Sequence, residues 1–354
     1  AKKAFETWAF SKKEERLELL EKLYVVYKKR WAEMAKLIST EMGAPMKFST
    51  EMQAATGASH IKSFKNILKD FKFEKDLGEE KNNQKLLYEP KGVCALITPW
   101  NWPINQITLK VLPALATGCT CILKPSEHTP LSAILYAEII DEAGYPPGVF
   151  NLINGDGPTV GSELSKHPDI QMMSFTGSTR AGICVTKDSA DTVKRVTLEL
   201  GGKSPNLVFS DCNLEEQVTA SVNECMFNTG QSCDAPTRLL VEESCYDEVT
   251  EIAKTACENI LVDSPTKEGN HIGPLFDKIQ FERVQTLINK GIDEGAKLLS
   301  GGVSNSKQKG FFAKPTLFDG LKENMTIAQE EIFGPVLGVL TVKNDEEALK
   351  VASN

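Results

Sequence analysis

The sequence has little of what metal centres and disulfide frameworks are built from. It contains four histidines and nine cysteines in 354 residues, and no two cysteines are spaced as Cys-x-x-Cys. We therefore expect no zinc site. Thiols in odd number, in a chain without a signal peptide, favour a reducing, cytoplasmic compartment. Because histidine is scarce, carboxylates or a thiol must carry any acid–base or nucleophilic chemistry.

The sequence also lacks a basic block and a membrane-spanning segment. The formal net charge is −8, from 40 basic and 48 acidic residues, and lysine and arginine are scattered, which argues against nucleic-acid or membrane partners. The longest stretch almost without charge, residues 92–123, is interrupted by Pro99, Pro103 and Pro113, so it is not a bilayer span. Its single charge is Lys110.

Periodicity predicts an α/β protein without internal repeats or flexible linkers. Helices are expected over the first seventy residues, starting with a capping box at Ser11 and Glu14, and an exposed hairpin follows at 74–88. From Gly92 onward, β-rich runs alternate with helical patterns, which is typical of a doubly wound parallel sheet covered by helices. The predicted strands are Val93–Thr98, Thr120–Leu123, Val149–Ile153, Met172–Phe175, Val196–Leu200 and Pro205–Phe209. A second α/β region follows from Leu214.

A cysteine in an unusual setting is the first candidate for chemistry. Cys233 ends the segment Phe227–Cys233, whose neighbours are small, polar and glycine-containing. A thiol in such a loop can be exposed and activated as a nucleophile. The alternative, that Cys233 is a small buried hydrophobe, stays open on these residues alone.

A carboxylate at the end of a predicted strand is the second candidate. Glu199 precedes Gly201 and Gly202, and strand ends border the ligand crevice of open α/β sheets. We expect Glu199 to be partly desolvated, with a raised pKa suited to a general base. A carboxylate on the solvent face of the strand is the alternative. A phosphate-binding loop is rejected, because Thr197 stands where that motif needs glycine.

Several turns between predicted strands and helices could hold a dinucleotide. They are Lys124–Glu127, Gly155–Gly161 and Phe175–Gly182, and each by itself is also compatible with ordinary turn chemistry. The segment Pro99–Pro103 could present the amide of Asn101 to a developing oxyanion, or it could be a rigid aromatic turn.

Together these segments resemble the NAD(P)-dependent aldehyde dehydrogenase superfamily over nearly the whole chain. Six motifs in the order of that family carry the resemblance: Pro99–Pro103, Lys124–Glu127, Phe175–Ser178, Leu198–Lys203, Phe227–Cys233 and Glu330–Pro335.

The resemblance implies a catalytic set. Cys233 would attack the aldehyde and pass through a thiohemiacetal to a thioester. Asn101 and the backbone N–H of Cys233 would form the oxyanion hole. Glu199 would activate the water that hydrolyses the thioester, and Lys110 matches a family lysine near the active site.

The resemblance also implies a modified Rossmann fold that binds NAD. Glu127 would accept hydrogen bonds from the adenosine ribose and repel the phosphate of NADP, so NADP is the less favoured cofactor. The implied cofactor-binding residues are Trp100, Lys124, Glu127, Thr176, Gly177, Ser178, Leu200, Glu331 and Phe333.

The expected organisation follows the same family. Residues 1–72 and 91–201 would form the coenzyme-binding domain, 73–90 an oligomerisation hairpin and 202–354 the catalytic domain. The partners would be a small aldehyde and further copies of the chain, in a homodimer or homotetramer. The family pattern normally continues past Asn354, so we expect the sequence to be part of a longer protein.

Three other functions share these features. A coenzyme-A-acylating semialdehyde dehydrogenase uses the same cysteine but typically lacks the water-activating glutamate, so Glu199 argues against it. A thiol esterase would hydrolyse esters without a dinucleotide. A catalytically silent protein would not need Cys233, Glu199 and Asn101 together.

Overall fold

The computed structural model describes residues 1–78, 84–304 and 309–354, and the chain divides into two compact units. Unit 1 consists of Ala1–Met42 and Phe48–Leu200, and unit 2 of Gly43–Lys47 and Gly201–Asn354. The boundary at Leu200 and the assignment of Gly43–Lys47 to unit 2 differ from the predicted domain limits.

Unit 1 begins with helices. They are α1 (Lys2–Trp8), α2 (Lys13–Lys29), α3 (Trp31–Met42), the short α4 (Met46–Phe48) and α5 (Ala54–Asp70), with a π-helical turn at Ser49–Gln53 before α5. The predicted capping box is wrong. Helix α2 starts at Lys13, and the Ser11 hydroxyl donates to Trp8 O and accepts from Nε of the buried Arg16 instead.

A parallel sheet forms the centre of unit 1. Its strands are β3 (Val93–Ile97), β4 (Thr120–Lys124), β5 (Phe150–Leu152), β6 (Met172–Thr176) and β7 (Arg195–Glu199). Their order is β5-β4-β3-β6-β7, and every pair is parallel. The connecting helices are α6 (Pro103–Ala116), α7 (Leu131–Glu142), α8 (Ser162–Lys166) and α9 (Thr179–Ser189). The chain therefore has the doubly wound α/β fold that the alternation predicted.

The weakly charged segment 92–123 forms β3, α6 and the start of β4. Buried apolar side chains of β3, such as Val93 and Ile97, pack in the same cluster as Met173 and Phe175 of β6. The segment is apolar because it crosses this core. Among the described residues, no helix is both long enough and apolar enough to cross a bilayer.

The predicted hairpin is present as β1 (Glu74–Asp76) and β2 (Lys85–Leu87), which pair antiparallel. All six residues of these two strands are exposed. The connection at 79–83 lies outside the described residues.

Unit 2 is a second α/β layer. Its strands are β8 (Pro205–Val208), β9 (Arg238–Glu242), β10 (Lys297–Ser300), β11 (Thr316–Asp319) and β12 (Val336–Val342), in the order β10-β11-β12-β9-β8. Only β10 runs antiparallel to its neighbour in this described sheet. The helices are α10 (Leu214–Met226), α11 (Tyr246–Glu258), α12 (Lys278–Asp293), α13 (Thr326–Gln329) and α14 (Asp345–Ala352). The sequence analysis did not identify β10, β11 or β12.

Candidate active site

The parallel sheet of unit 1 gathers its candidate residues at one edge. Because all its strands run in one direction, the turns that follow β3, β4, β6 and β7 lie at the same side of the sheet. In the order β5-β4-β3-β6-β7, the chain leaves β3 toward β4 and leaves β6 in the opposite direction, toward β7. β3 and β6 therefore flank the crevice where doubly wound folds bind ligands.

Asn101 lies in the turn between β3 and α6. The residue is buried, and its carbonyl oxygen accepts a hydrogen bond from Nε2 of Gln53 at 3.1 Å. Trp102 packs edge-to-face on Phe48 with ring centroids 5.5 Å apart, and Pro103 starts α6. The backbone of this turn is therefore held from two sides. Gln53 was missed by the sequence analysis, because no local signal connects it to a turn 48 residues away.

Lys110 and Glu199 are brought near each other. The Lys110 ammonium donates to the hydroxyl of Ser174 at 3.0 Å. Burial lowers the pKa of Lys110 to about 8, while the charge of Glu199 opposes this shift. Ser174 is a second residue that the sequence analysis missed.

The expected desolvation of Glu199 is wrong. Its side chain is exposed, because β7 is the edge strand of the described sheet and Glu199 is its last residue. A carboxylate in this position is open to water. It interacts electrostatically with Lys110 but is not enclosed.

Lys124 and Glu127 form an ion pair after β4. The Lys124 side chain is almost completely buried, and its Nζ donates to Pro125 O at 2.8 Å and to Glu127 Oε2 at 3.3 Å. Partial burial acts to raise the pKa of Glu127. Its own backbone N–H and the Lys124 ammonium outweigh that effect, so the pKa lies below the usual value and Glu127 is ionised at neutral pH.

The turn from β6 into α9 contains three of the implied cofactor-binding residues, Thr176, Gly177 and Ser178. The hydroxyl of Thr176 is buried and has no protein partner within the described residues. The Gly177 N–H donates to Glu199 O at 3.0 Å, and the Ser178 hydroxyl caps α9 by accepting from Ala181 N at 3.3 Å. Leu200 packs with the apolar cluster of this sheet. The helix N-terminus provides the positive end of a dipole for an anion.

In unit 2, an unusual backbone precedes Cys233. Asn228, Thr229 and Gly230 have successive φ values of +52°, +59° and +70°. Such values are rare for residues other than glycine, and each non-glycine instance costs about 1–3 kcal/mol. A Cβ on Gly230 would lie 2.1 Å from Gly334 O, so only glycine fits where these two backbones meet.

Side-chain hydrogen bonds hold this loop in place. Thr229 Oγ1 donates to Gly273 O at 3.2 Å, and the Gln231 side-chain oxygen accepts from Phe276 N at 2.9 Å. Cys233, which follows directly, is half-buried. The backbone that leads into Cys233 is thus held by two side-chain hydrogen bonds.

Glu331 and Phe333 belong to the segment that contains Gly334. Phe333 has a φ of +59°, and its carbonyl oxygen accepts from Nε2 of Gln280 at 2.7 Å. The Glu331 carboxylate packs against Gly201, where a Cβ would meet it at 2.0 Å. Burial raises the pKa of Glu331, although the N–H of Gly202 stabilises its charge. Its Oε1 is buried without a protein partner in the described part of the chain.

The cysteines and acidic residues form no metal site within the described ranges, where no group of three or more His, Cys, Asp or Glu side chains is placed to hold an ion. None of the nine cysteines, all of which lie in those ranges, is in a disulfide.

Comparison with known proteins connects these features to a family. A model of the aldehyde dehydrogenase family matches residues 1–354. A 3-succinoylsemialdehyde-pyridine dehydrogenase from Pseudomonas sp. is 49% identical over all of this chain and 74% of its own length.

Solved structures agree. An aldehyde dehydrogenase from Bartonella henselae has a TM-score of 0.96 and 51% identity, covering 99% of this chain and 74% of that chain. Aldehyde dehydrogenase C from Pseudomonas syringae, a variant complexed with NAD+ and octanal, has a TM-score of 0.96 and 44% identity, covering 99% of this chain and 72% of that chain. The chain therefore belongs to the aldehyde dehydrogenase family, whose reaction class is the oxidation of aldehydes.

The Gly230 contact gives a first prediction. We expect Gly230→Ala to lower both stability and aldehyde oxidation, because the added methyl must displace Gly334 O and with it the loop before Cys233. The control is Gly320→Ala, since Gly320 also has a positive φ of +65° but nothing within 4 Å of an added Cβ.

Thermal unfolding and initial rates separate the two effects. Gly320→Ala should cost about 1–2 kcal/mol from backbone strain and keep the rate. Gly230→Ala should cost more and lower the rate about tenfold or more. Equal behaviour of the two variants would show that the contact with Gly334 does not hold the loop.

Proposed function

We propose that the protein oxidises an aldehyde to a carboxylic acid with NAD+, through a covalent intermediate on Cys233. The observation that carries the proposal is the strained, doubly held loop of Asn228, Thr229 and Gly230 directly before the half-buried Cys233. Strain of this kind is retained where the surrounding structure imposes it, most often at functional sites. Family membership supports assigning that role to a thiol.

In the proposed reaction, the Cys233 sulfur forms a C–S bond to the aldehyde carbon. Asn101 and the backbone N–H of Cys233 donate hydrogen bonds to the oxygen that becomes negative. Loss of a hydride from the same carbon leaves a thioester. Water then cleaves the C–S bond, giving the acid and regenerating the thiol.

Glu199 is proposed as the base that accepts a proton from this water. Its exposure favours contact with water, and its charge interacts with the nearby Lys110 ammonium. Lys110 itself, with a pKa of about 8, can share in proton movement near neutral pH. We therefore propose Lys110 as an electrostatic partner of Glu199.

The residues present fit a dinucleotide. The unpartnered Thr176 hydroxyl, the capped N-terminus of α9 and the ionised Glu127 offer a donor, a dipole and an acceptor to polar groups of a cofactor. In unit 2, the unpartnered Oε1 of Glu331 offers a second acceptor. When bound, NAD+ supplies the hydride acceptor.

We propose as cofactor-binding residues all of those that the family resemblance implies. Lys124 and Glu127 would bind the adenosine ribose, Trp100 and Ser178 the pyrophosphate, and Glu331 and Phe333 the nicotinamide ribose and ring. Thr176, Gly177 and Leu200 would line the same site. The Pseudomonas syringae relative solved with NAD+ supports NAD as the cofactor.

We further propose a homo-oligomer in the cytoplasm. The hairpin β1–β2 exposes Leu77, Leu86, Leu87 and Tyr88, an apolar surface that a second copy of the chain would cover. Nine cysteines without a disulfide suit a reducing compartment.

The nucleophile is tested by Cys233→Ala. Aldehyde oxidation should fall to background, because no C–S bond can form, while NAD+ binding measured by calorimetry stays nearly the same. The control is Cys212→Ala, which removes an exposed thiol outside the proposed site. If Cys233→Ala kept a rate within about tenfold of the parent, the covalent route would be abandoned.

The base is tested by Glu199→Gln in a rapid-mixing experiment. The substitution keeps the side chain's size and removes its basicity, so the first turnover should still release a burst of NADH. The steady-state rate should fall about 10²–10⁴-fold, the usual contribution of a general base. A smaller loss would reduce Glu199 to a structural role.

The same variant separates the rival functions. Coenzyme A should restore fast turnover only in an acylating dehydrogenase. In the parent, ester hydrolysis without NAD+ at the same rate as aldehyde oxidation would favour a thiol esterase.

Cofactor choice is tested by Glu127→Gln. In the parent, kcat/KM should be about ten- to a hundredfold higher with NAD+ than with NADP+, because the Glu127 carboxylate repels the added phosphate. The variant should narrow this ratio mainly by improving NADP+. Glu346→Gln, which removes an exposed carboxylate on α14, is the control for net charge. An unchanged ratio in Glu127→Gln would assign the selection to another residue.

A further inference from the structure

A buried glutamine lies beside the turn that contains Asn101. Gln53 is the last residue of the π-helical turn Ser49–Gln53, and its side chain is completely buried. Burying a side-chain amide is unfavourable unless its polar groups are hydrogen-bonded. The π-helical conformation is rare, and it is found frequently at functional sites. Both features single out Gln53 among the residues that the sequence analysis did not identify.

Two aromatic side chains from the preceding helices hold this π-helical turn. Nε1 of Trp31 in α3 donates to Thr50 O at 3.1 Å. The buried hydroxyl of Tyr27 in α2 donates to Ala54 O at 2.7 Å. The two rings pack edge-to-face on each other, with centroids 6.2 Å apart. The backbone on either side of Gln53 is therefore fixed by contacts from outside the turn.

The side-chain amide of Gln53 is also fixed. Its Nε2 donates to Asn101 O at 3.1 Å and to the sulfur of Met42 at 3.5 Å. Turning the amide over would place its oxygen, which can only accept, against the carbonyl oxygen of Asn101. The amide therefore stabilises the Asn101 carbonyl in one orientation only.

The turn that contains Asn101 depends on such contacts. Asn101 lies in a bend between β3 and α6, outside the regular hydrogen bonding of either element. The residue after it, Trp102, packs on Phe48, the residue directly before the π-helical turn. The two segments thus meet at two points, and the hydrogen bond from Gln53 is the one that reaches Asn101 itself. Because the backbone of a residue sets the direction of its Cβ, this bond also sets the direction of the Asn101 side chain.

We propose that Gln53 is a positioning residue for aldehyde oxidation, which holds the Asn101 amide in the direction needed to stabilise the negative oxygen. The inference rests on the proposed roles of Cys233 and Asn101. Gln53 forms no bond to the substrate and moves no proton, and it acts through Asn101 alone. Donors to a developing oxyanion are effective because they are preorganised, and a misplacement of about 1 Å can lower a rate about 10²-fold.

The first test is Gln53→Met in the full chain, with hexanal and NAD+ as substrates. Methionine keeps the length of the side chain but cannot donate to Asn101 O. We expect kcat to fall about ten- to a hundredfold, because the stabilisation of the oxyanion is lost. Alkylation of Cys233 by iodoacetamide displaces iodide and forms no oxyanion, so its rate should stay close to that of the parent. NAD+ binding should also be unchanged. A variant that kept the kcat of the parent would overturn the proposal.

A double-mutant cycle with Asn101→Ala separates positioning from a purely structural role. Asn101→Ala removes the side chain through which Gln53 acts and keeps the carbonyl that Gln53 binds. By itself it should lower kcat about 10²–10³-fold. Adding Gln53→Met to it should then lower kcat by less than about twofold more. If Gln53→Met cost the same factor in both backgrounds, Gln53 would not act through Asn101 and the proposal would be overturned.

The same cycle distinguishes this inference from the proposed function. If Asn101→Ala kept the kcat of the parent, the oxyanion role of Asn101 would be withdrawn, and this inference with it. If Asn101→Ala lowered kcat and Gln53→Met did not, only the role of Gln53 would be overturned.

Asn151 on β5 provides a matched control. Its side-chain amide also donates to backbone carbonyls, Cys121 O at 3.1 Å and Gly148 O at 2.9 Å. Asn151→Leu should lower the melting temperature, as Gln53→Met does, but keep kcat. Equal losses of kcat in these two variants would assign the effect to stability and overturn the proposal. If Gln53→Met does not fold, Gln53→Asn replaces it, since its shorter side chain cannot reach Asn101 O and the same loss of kcat is expected.

Discussion

The candidate site of unit 1 depends on the parallel pairing of its strands. Because β3, β4, β6 and β7 run in one direction, every turn at their carboxyl ends lies on one edge of the sheet. The direction of the strands thus places residues up to about a hundred positions apart at the same edge, and this placement does not require direct interactions between them. The buried Lys124 and the exposed Glu199 differ because β4 is interior to the sheet and β7 is at its edge.

In unit 2 the corresponding constraint is a close approach of two backbones. The backbones of Gly230 and Gly334 lie so close together that no side chain fits between them. The strain at Asn228, Thr229 and Phe333 is located on the two segments that meet there. The hydrogen bond from Gln280 and the one to Gln231 stabilise these segments in backbone conformations that isolated peptides rarely adopt.

Electrostatics in the sheet of unit 1 separates the roles of similar groups. Burial lowers the pKa of Lys110, so its side chain is a weaker base than that of an ordinary lysine. Its ammonium donates a hydrogen bond to Ser174 and interacts with the charge of Glu199. A thiol illustrates the same rule. Cys121 is buried, and burial raises the pKa of its thiol.

Local pattern was sufficient for the alternation of strands and helices from Gly92 to Val208, because each element there is short, apolar and bounded by turn residues. It also located the motifs around Cys233 and Glu199. It did not find β11 and β12, since their pairing partners are far away in the chain. Nor did it find the role of Ser11, whose hydroxyl binds Arg16 instead of capping a helix.

The sequence by itself therefore determined the fold class, the family resemblance and the residues that carry it. Only the tertiary structure decided that Glu199 is open to water and that Gln53, Ser174 and Gln280 support the candidate residues. The physical reason is the same in each case. The exposure, hydrogen bonding and pKa of a group depend on neighbours from distant parts of the chain, and the local periodicity of the sequence does not identify those neighbours.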